Sequence, residues 1–224
     1  MLAPEMRGIV AAAVALLAVL GLAPTPAAAQ LGEVPLSDVL QVLVIDRELI
    51  AIDAVGGGQT TLRLRIGEKV LWTGARGKVG VGLTDQRMLA VTTGSAAWQQ
   101  LEYQRTERPP TSALLGDRVA LMITARRAVG FDGGSGKLVE TALGLRENVL
   151  ATRAGENVAV VVTDRRAFGM SPFAGGFFET SVLLNERLES VNADSNLATV
   201  TTDRRVLIFR APSGSWEERR RTLH

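Results

Sequence analysis

The chain repeats one short pattern five times, at intervals of 39 or 40 residues. Four copies carry a signature of Thr, then Asp or Ala, then Gln or Arg, then Arg, at residues 84–87, 124–127, 163–166 and 202–205. A degenerate first copy at residues 45–48 ends in Glu48 where the other copies have Arg. A fixed period of this length is typical of propellers, solenoids and other repeat arrays. The period therefore constrains the fold more than any other feature of the sequence.

Each copy shows the alternation of apolar residues that is typical of β-strands. In the third full copy, Val158, Val160 and Val162 precede the signature, and a second short apolar run follows it. Such period-two runs, broken by turn residues, predict strands. Four strands of four to eight residues fit into one period and leave no room for a helix.

Three further positions recur at the same period. A Gly-bearing turn follows each second strand, which supplies the positive φ that tight hairpin turns need. A small residue occupies one fixed point of the strand before each signature, and we expect a neighbouring backbone to approach closely there. These residues are Gly80, Ala120, Ala159 and Ala198. A bulky residue begins the next strand in most copies and is expected to fill the space between sheets; these are Trp98, Val139, Phe178 and Trp216.

The phase of the repeats predicts an all-β fold, a five-bladed β-propeller. A Glu starts what we interpret as the last strand of each blade, at Glu68, Glu107, Glu147 and Glu186. On this interpretation the last copy lacks its fourth strand, and residues 31–37 are a spare strand that completes the sheet holding Trp216. Such closure shields the sheet edges. The alternatives are an open β-solenoid and a two-sheet sandwich with internal duplication.

The five short repeats resemble those of small five-bladed propellers of the tachylectin type. The resemblance covers residues 30–224, but only in the number of repeats and their length. It implies a lectin-like ring. No sugar-binding residue of that family can be matched to a position here, so none is assigned.

The N-terminal segment has the pattern of a secretory signal. An apolar run at residues 8–23 follows Arg7 and precedes Ala27-Ala28-Ala29, a small-residue cleavage site. We therefore expect a signal peptide at residues 1–29, a single domain at residues 30–224, and a periplasmic or extracellular location. No later stretch is apolar enough to cross a membrane as a helix. The chain has no Cys to form disulfides, and we expect a monomer.

Little in the composition favours catalysis. The single His is His224, the last residue, so no Cys–His pair and no His-based metal site is expected, and a Ser-His-Asp triad is disfavoured. The acidic residues recur with the repeat, whereas a catalytic carboxylate pair is a singular arrangement. Asp53 and Asp132 are the carboxylates we would test first in an enzyme. A formal charge of +2 gives no field for nucleic acid, and no cofactor is expected.

Two groups of residues are candidates for ligand binding. In a ring, the last signature residues Arg87, Arg127, Arg166 and Arg205 would lie on one face. They would form a basic crown for an anionic ligand, or else hydrogen-bond carbonyls and a repeated Glu to stabilise turns. The aromatic residues Trp98, Tyr103 and Phe173 could stack on a sugar or a peptide, or else belong to the core between blades.

Departures from the repeat point to function, because the scaffold does not require them. The main ones are residues 105–112, with Pro109-Pro110, and residues 170–178, with three Phe residues. We expect an exported, non-catalytic binding scaffold whose ligand is an envelope or extracellular glycan or a protein partner. The second hypothesis is a structural or assembly module that docks one partner protein, and the third is a glycan hydrolase or lyase.

Overall fold

A computed structural model describes residues 39–221, and every regular element within that range is a β-strand. The strands form five sheets in chain order. The first sheet has three strands: β1 (Leu40–Ile45), β2 (Glu48–Asp53) and β3 (Gln59–Arg63). The second has β4 (Val70–Arg76), β5 (Val79–Thr84), β6 (Arg87–Thr92) and β7 (Gln99–Glu102).

The remaining three sheets have four strands each. The third contains β8 (Leu114–Leu115), β9 (Val119–Ile123), β10 (Arg127–Asp132) and β11 (Lys137–Ala142). The fourth contains β12 (Val149–Ala154), β13 (Ala159–Thr163), β14 (Arg166–Ser171) and β15 (Gly176–Ser181). The fifth contains β16 (Leu188–Ala193), β17 (Leu197–Thr202), β18 (Arg205–Arg210) and β19 (Ser215–Arg220).

Each sheet is an antiparallel meander whose strands pair in the order of the chain. The signature turns and the connections between sheets lie at one end of the strands, which we call the signature end. The hairpins of the first strand pair and the Gly-bearing turns lie at the other end, the glycine end. Each predicted Gly turn is present there, with a positive φ at Gly57, Gly94, Gly136, Gly175 and Gly214.

Four apolar cores hold successive sheets face to face. Each core draws residues mainly from the inner strands of two neighbouring sheets, and from β1 and β2 in the first sheet; these side chains are nearly all fully buried. The largest are Leu89 and Trp98 at the first junction, Met88 and Phe131 at the second, Phe168 and Met170 at the third, and Phe209 at the fourth. Burying one such side chain contributes about 1.5–3 kcal/mol. The stacking of sheets is therefore the main source of stability.

The bulky residues predicted to fill the space between sheets do so. Trp98 belongs to the first core, and Val139, Phe178 and Trp216 pack against the cores of later junctions. Two of the indoles also hydrogen-bond across a junction. Trp98 Nε1 donates to Thr60 O at 3.0 Å, and Trp216 Nε1 donates to Phe178 O at 2.9 Å.

The prediction of which sheet contains the strand after each Glu is wrong. We assigned that strand to the preceding sheet, but β4 pairs with β5 of the following sheet, and a turn at Gly77-Lys78 joins them. The sheet holding Trp216 therefore already has four strands and needs no strand from residues 31–37. By the period, that segment corresponds to the first strand of the first sheet, which has three. Residues 31–37 lie outside the described residues.

The close approach predicted at the small strand residues also needs correction. A Cβ on Gly80 would meet side chains, Val42 Cγ2 at 2.7 Å and Leu40 Cδ2 at 2.9 Å, and not a backbone. The backbones approach instead at the hairpins of the glycine end. A Cβ on Gly116 would lie 1.9 Å from Gly155 O.

Hydrogen bonds between consecutive hairpins explain this approach. Lys78 N–H donates to Asp117 O at 2.8 Å, and Arg118 N–H donates to Glu156 O at 2.9 Å. Asn157 N–H continues the series to Ser195 O at 2.8 Å. The hairpins of the second to fifth sheets thus bond directly to one another, and a side chain between them would separate the backbones.

Candidate functional site at the signature end

One Glu, one Thr and one Arg meet at the start of the second sheet. Arg87 donates from Nε to Glu68 Oε1 and from Nη2 to Glu68 Oε2, both at 2.8 Å. The Thr84 hydroxyl lies 2.8 Å from Glu68 Oε1, and Arg65 N–H donates to Oε2 at 2.7 Å. The Glu68 side chain is fully buried and that of Arg87 is 4% exposed. A bidentate pair of this kind is among the stronger polar contacts in proteins.

The same arrangement occurs four times, and we call each Glu–Thr–Arg set a latch. The four latches are Glu68–Thr84–Arg87, Glu107–Thr124–Arg127, Glu147–Thr163–Arg166 and Glu186–Thr202–Arg205. In each, the Glu lies on the connection that leaves one sheet, and the Arg lies in the next sheet. In three latches the Arg Nη2 also donates to a carbonyl of the preceding sheet, at Glu102, Ala142 or Ser181. The latches therefore tie neighbouring sheets together.

The local fold of the turn positions each latch. In the signature turn, the N–H groups of Gln86 and Arg87 donate to Thr84 Oγ1, which fixes the turn and presents the Thr hydroxyl to the Glu. The signature Asp holds the adjoining connection. Asp85 Oδ1 accepts a hydrogen bond from Lys69 N–H at 2.9 Å, and Asp164 and Asp203 accept the equivalent bonds.

The one departure from this turn coincides with the longer copy. Ala125 replaces Asp and supplies no carboxylate, and the segment before it contains the additional residue of this repeat, near Pro109-Pro110. The first strand of this sheet, β8, has only two residues. Next to the predicted deviant loop at residues 105–112, the repeat thus lacks the Asp contact and has a shortened first strand.

The carboxylates of the latches are held in the charged form. Burial alone would raise the pKa of Glu68, but hydrogen bonds from Arg87, Arg65 N–H and Thr84 outweigh it and lower the pKa to about 2. The pKa of Glu186 is also about 2, where Arg205 overcomes the effect of burial. At Glu147, the hydrogen bond from Arg166 is the largest influence and lowers the pKa to about 2. Each latch thus pairs a buried carboxylate with an Arg.

The predicted basic crown consists of these latch arginines. The four residues are equivalent by repeat, and Arg87, Arg127 and Arg205 are only 4–7% exposed. Their donors are largely used: Arg205 bonds both Glu186 oxygens, Ser181 O and Glu218 Oε2. Arg166, with a side chain 31% exposed, is the most accessible of the four. The contacts are those of the turn-stabilising alternative, and anion binding stays a prediction.

The structure does not bring the three candidate aromatic residues together. Trp98 is 4% exposed and lies in the first core. Tyr103 packs against the second core, and its hydroxyl is buried without a hydrogen-bond partner. Burial, with Glu107 nearby, raises the pKa of that hydroxyl. Phe173 lies in a turn at the glycine end and is 49% exposed. Phe173 alone among them presents much of its ring to solvent.

The carboxylates we would test first for catalysis hold turns at the glycine end. Asp53 accepts hydrogen bonds from the N–H groups of Val55, Gly56 and Gly94, and its pKa is lowered chiefly by the bond from Gly56. It lines a cavity of about 200 Å³ between the first two sheets. Asp132 is 3% exposed and accepts bonds from Gly134 and Ser135. Both carboxylates therefore act within the scaffold.

Exposed aliphatic residues at the signature end were missed by the sequence analysis. Ile66 is 90% exposed, Leu145 is 84% exposed and Leu184 is 99% exposed. Each lies two residues before a latch Glu, at the tip of a connection between sheets, and Arg105 has this position in the remaining copy. We call Ile66, Leu145 and Leu184 the loop tips. The signal in the sequence was an aliphatic residue at one loop position in three copies, where a polar residue is the norm.

Basic side chains surround the loop tips. Arg65 and Arg146 are next to a tip in sequence, and the third signature residues Arg126, Arg165 and Arg204 are exposed at the same end. Within residues 39–221, none of Arg126, Arg146, Arg165 and Arg204 forms a salt bridge. The signature end thus combines projecting aliphatic groups with exposed Arg side chains, beside the signature carboxylates Asp85, Asp164 and Asp203.

No group of three or more His, Asp or Glu side chains within residues 39–221 is arranged to hold a metal ion. No helix in the same range is long and apolar enough to span a membrane.

Comparison with known proteins gives structural likenesses without a family. No protein-family model matches the chain, and no curated protein matches it. Similar solved structures include apo AztD from Citrobacter koseri, with 13% identity, a TM-score of 0.39, and coverage of 80% of this chain and 58% of that one. Prp20p from Saccharomyces cerevisiae has 10% identity, a TM-score of 0.38, and coverage of 76% and 56%. HIRA(644-1017) has 10% identity, a TM-score of 0.39, and coverage of 81% and 56%. This chain therefore spans less than two thirds of each.

The class of protein follows from the chain's own sheets. Successive antiparallel meanders of up to four strands stack face to face, with one core and one latch at a junction and a period of 39 or 40 residues. This is the organisation of a β-propeller repeat protein.

Proposed function

We propose that the chain is an exported, non-catalytic binding scaffold that supplies five propeller blades and docks a protein partner through the loop tips. The observation that carries the proposal is the exposure of Ile66, Leu145 and Leu184, at 84–99%, at one position of three repeats. Scattered single apolar residues on a surface need no explanation, but a repeated set that the scaffold does not bury does.

The latches make the loop tips a rigid surface. Two residues after each tip, the Glu of a latch is bonded to the Arg of the next sheet. The same Glu accepts the N–H of the residue before the tip, as Leu183 N–H does to Glu186 Oε2 at 2.9 Å. Because each tip is held at both sides, it loses little conformational entropy on binding. More of the free energy of its apolar contacts therefore contributes to affinity.

The bulged first strands extend the apolar surface. The register shifts between Val70 and Trp72 and between Val149 and Ala151, which leaves Leu71 and Leu150 unpaired. They are 51% and 52% exposed and lie near the strand starts, at the signature end. β-Bulges commonly turn a side chain outward at functional surfaces.

The charges favour a partner with acidic groups around an apolar patch. Exposed Arg126, Arg165 and Arg204 lie at the end that carries the tips. Complementary charge at the rim of an interface mainly accelerates association and selects the partner, while the apolar contacts supply affinity.

The other functional hypotheses have less support. A glycan-binding site needs accessible aromatic rings or convergent polar groups, but Trp98 and Tyr103 belong to cores and Phe173 stands apart. For catalysis, Asp53 and Asp132 are occupied with turn N–H groups. A partner protein is therefore the ligand we propose.

Co-purification with a loop-tip variant tests the proposal. The parent, the triple variant Ile66→Ser/Leu145→Ser/Leu184→Ser and the control Val55→Ser are immobilised and exposed to envelope and secreted proteins of the native host. Val55 is 66% exposed but lies in a turn at the glycine end. We expect a partner retained by the parent and the control to be retained at least about tenfold less by the triple variant.

Two results would reject this assignment. One is equal retention of the same proteins by the triple variant, and the other is saturable binding of a glycan panel that the triple change leaves intact. N-terminal sequencing of the parent recovered from the host tests export separately, with Gln30 expected as the first residue.

A further inference from the structure

Each junction between sheets joins two different faces. At the second junction, the second sheet contributes residues of its β5 and β6, and the third sheet contributes residues of its β9 and β10. On the third sheet these are Ala120, Met122, Val129 and Phe131, all 0% exposed. The period gives the equivalent positions in every other sheet. Each internal sheet uses one face toward the sheet before it and the opposite face toward the sheet after it.

Among residues 39–221, the first sheet presents a face on which no other sheet packs. The positions equivalent to that buried set form the first-sheet face, which is Gln41, Leu43, Ile50 and Ile52. Ile52 is 37% exposed, and Ile45 on the same side is 52% exposed. Leu43 and Ile50 are half-buried. Three large aliphatic residues thus stand where their equivalents in other sheets are fully enclosed.

The last sheet presents the face that an internal sheet turns toward the sheet after it. The positions equivalent to the second sheet's contribution form the last-sheet face, which is Leu197, Thr199, Thr201, Val206 and Ile208. Leu197 is 37% exposed and the others are half-buried, whereas Val79, Val81 and Leu83 at the internal junction are 0% exposed. Within residues 39–221, no core joins the first sheet to the last.

We propose that the first-sheet face of one copy packs on the last-sheet face of a second copy. The two faces are the two halves of a junction that the chain already builds four times. Terminal repeats that remain in solvent normally carry a polar outer face, whereas most residues of these two faces are large and aliphatic, beside Gln41, Thr199 and Thr201. A contact between two different faces is heterologous, so each open assembly keeps one free face of each kind at its two ends until a ring closes. This revises the expectation of a monomer.

One polar contact of the internal junctions is missing at the proposed junction. At internal junctions the last signature Arg donates to the carbonyl of the residue at the end of the preceding sheet, as Arg205 does to Ser181 O. At the proposed junction the equivalent positions are Glu48 and, on the second copy, Arg220. Neither takes part in a salt bridge among the described residues. A carboxylate cannot donate to a carbonyl as the signature Arg does, so the proposed junction lacks this contact and rests on the apolar residues of the two faces.

Mixing two single-face variants tests the proposal on the purified chain. Ile52→Asp disables the first-sheet face, and Leu197→Asp disables the last-sheet face. By light scattering across a concentration series, we expect a multimer for the parent and a monomer for each variant alone. An equimolar mixture should give a heterodimer, because each variant retains the face that the other lacks. The control Leu184→Asp, at a loop tip, should keep the mass of the parent.

A second pair of variants guards against misfolding. Ile52→Ser and Leu197→Ser add no charge at positions that are 37% exposed, and each should weaken assembly alone and recover it in the mixture. A parent that stays monomeric throughout the series, or mixtures that stay monomeric, would overturn the proposal. Either result would indicate that the two faces meet within one copy or do not meet at all.

Discussion

The last Arg of the signature acts within the fold because its partners are supplied by the chain itself. Arg127 bonds both oxygens of Glu107, the carbonyl of Glu102 and the carboxylate of Glu140. The Glu107 side chain is fully buried and that of Arg127 is 6% exposed. A buried ion pair of this kind is no more stabilising than well-packed apolar side chains of similar volume. Removal of one partner, however, leaves the other buried without a counter-charge and destabilises the fold. The repeat thus preserves both residues together.

The latch carboxylates make stability depend on pH. Their pKa is about 2 in the folded protein at Glu68, Glu147 and Glu186, against an ordinary value of 4.5. Because the folded pKa is depressed, the stabilisation is fully present above about pH 4.5 and is lost as pH falls toward 2. Chemical denaturation between about pH 6 and about pH 3 should show a falling free energy of unfolding.

A substitution identifies the source of that dependence. Glu147→Gln should lower stability at neutral pH and reduce the slope of stability against pH in the acid range, because one titrating group is removed. If the parent kept its full stability down to about pH 3, the latches would not be the linked ion pairs described above.

At the scale of the elements, strands and turns were predictable but sheet membership was not. Alternation such as Val158, Val160 and Val162 is a local property, and the Gly turns have a local requirement for positive φ, so both were visible in the sequence. Alternation does not say which neighbour a strand pairs with. The pairing of β4 with β5 depends on the short turn at Gly77-Lys78, which joins them into a hairpin.

The hairpin glycines were visible as a period but were not recognised. Gly77, Gly116 and Gly155 are spaced by 39 residues, yet glycine in a turn has many explanations. Only the packing of one hairpin on the next shows that Gly116 and Gly155 leave no room for a side chain. The loop tips were missed for a related reason, since exposure cannot be inferred from an apolar residue in a loop.

A pair of glycine substitutions tests the contact between hairpins. In Gly155→Ala the new Cβ would lie 1.8 Å from Asp194 O, so the two hairpins must separate. We expect a loss of about 1–3 kcal/mol in the free energy of unfolding. The matched control is Gly176→Ala, where nothing lies within 4 Å of the new Cβ. It should be neutral or stabilising by up to about 1 kcal/mol. Equal effects of the two changes would show that the hairpins are not in close contact.

At the scale of the whole molecule, four equivalent junctions explain how repeated sheets of this size form one structure. A core lies at every junction, and a latch is present wherever the signature is complete. In a repeat protein the stability is approximately the sum of such units and their interfaces. The degenerate signature at residues 45–48 belongs to the first of the five sheets described, which packs on no preceding sheet within residues 39–221.

Unfolding free energies of neighbouring Ala substitutions test whether the signature arginines join the sheets. Arg87, Arg127, Arg166 and Arg205 are replaced singly, as are the preceding residues Gln86, Arg126, Arg165 and Arg204. We predict a loss of about 3–5 kcal/mol for each latch variant, smallest at the more exposed Arg166. The preceding residues should change stability by no more than about 0.5 kcal/mol. Similar effects in the two sets, with a loss of polyanion binding confined to the latch set, would contradict the account.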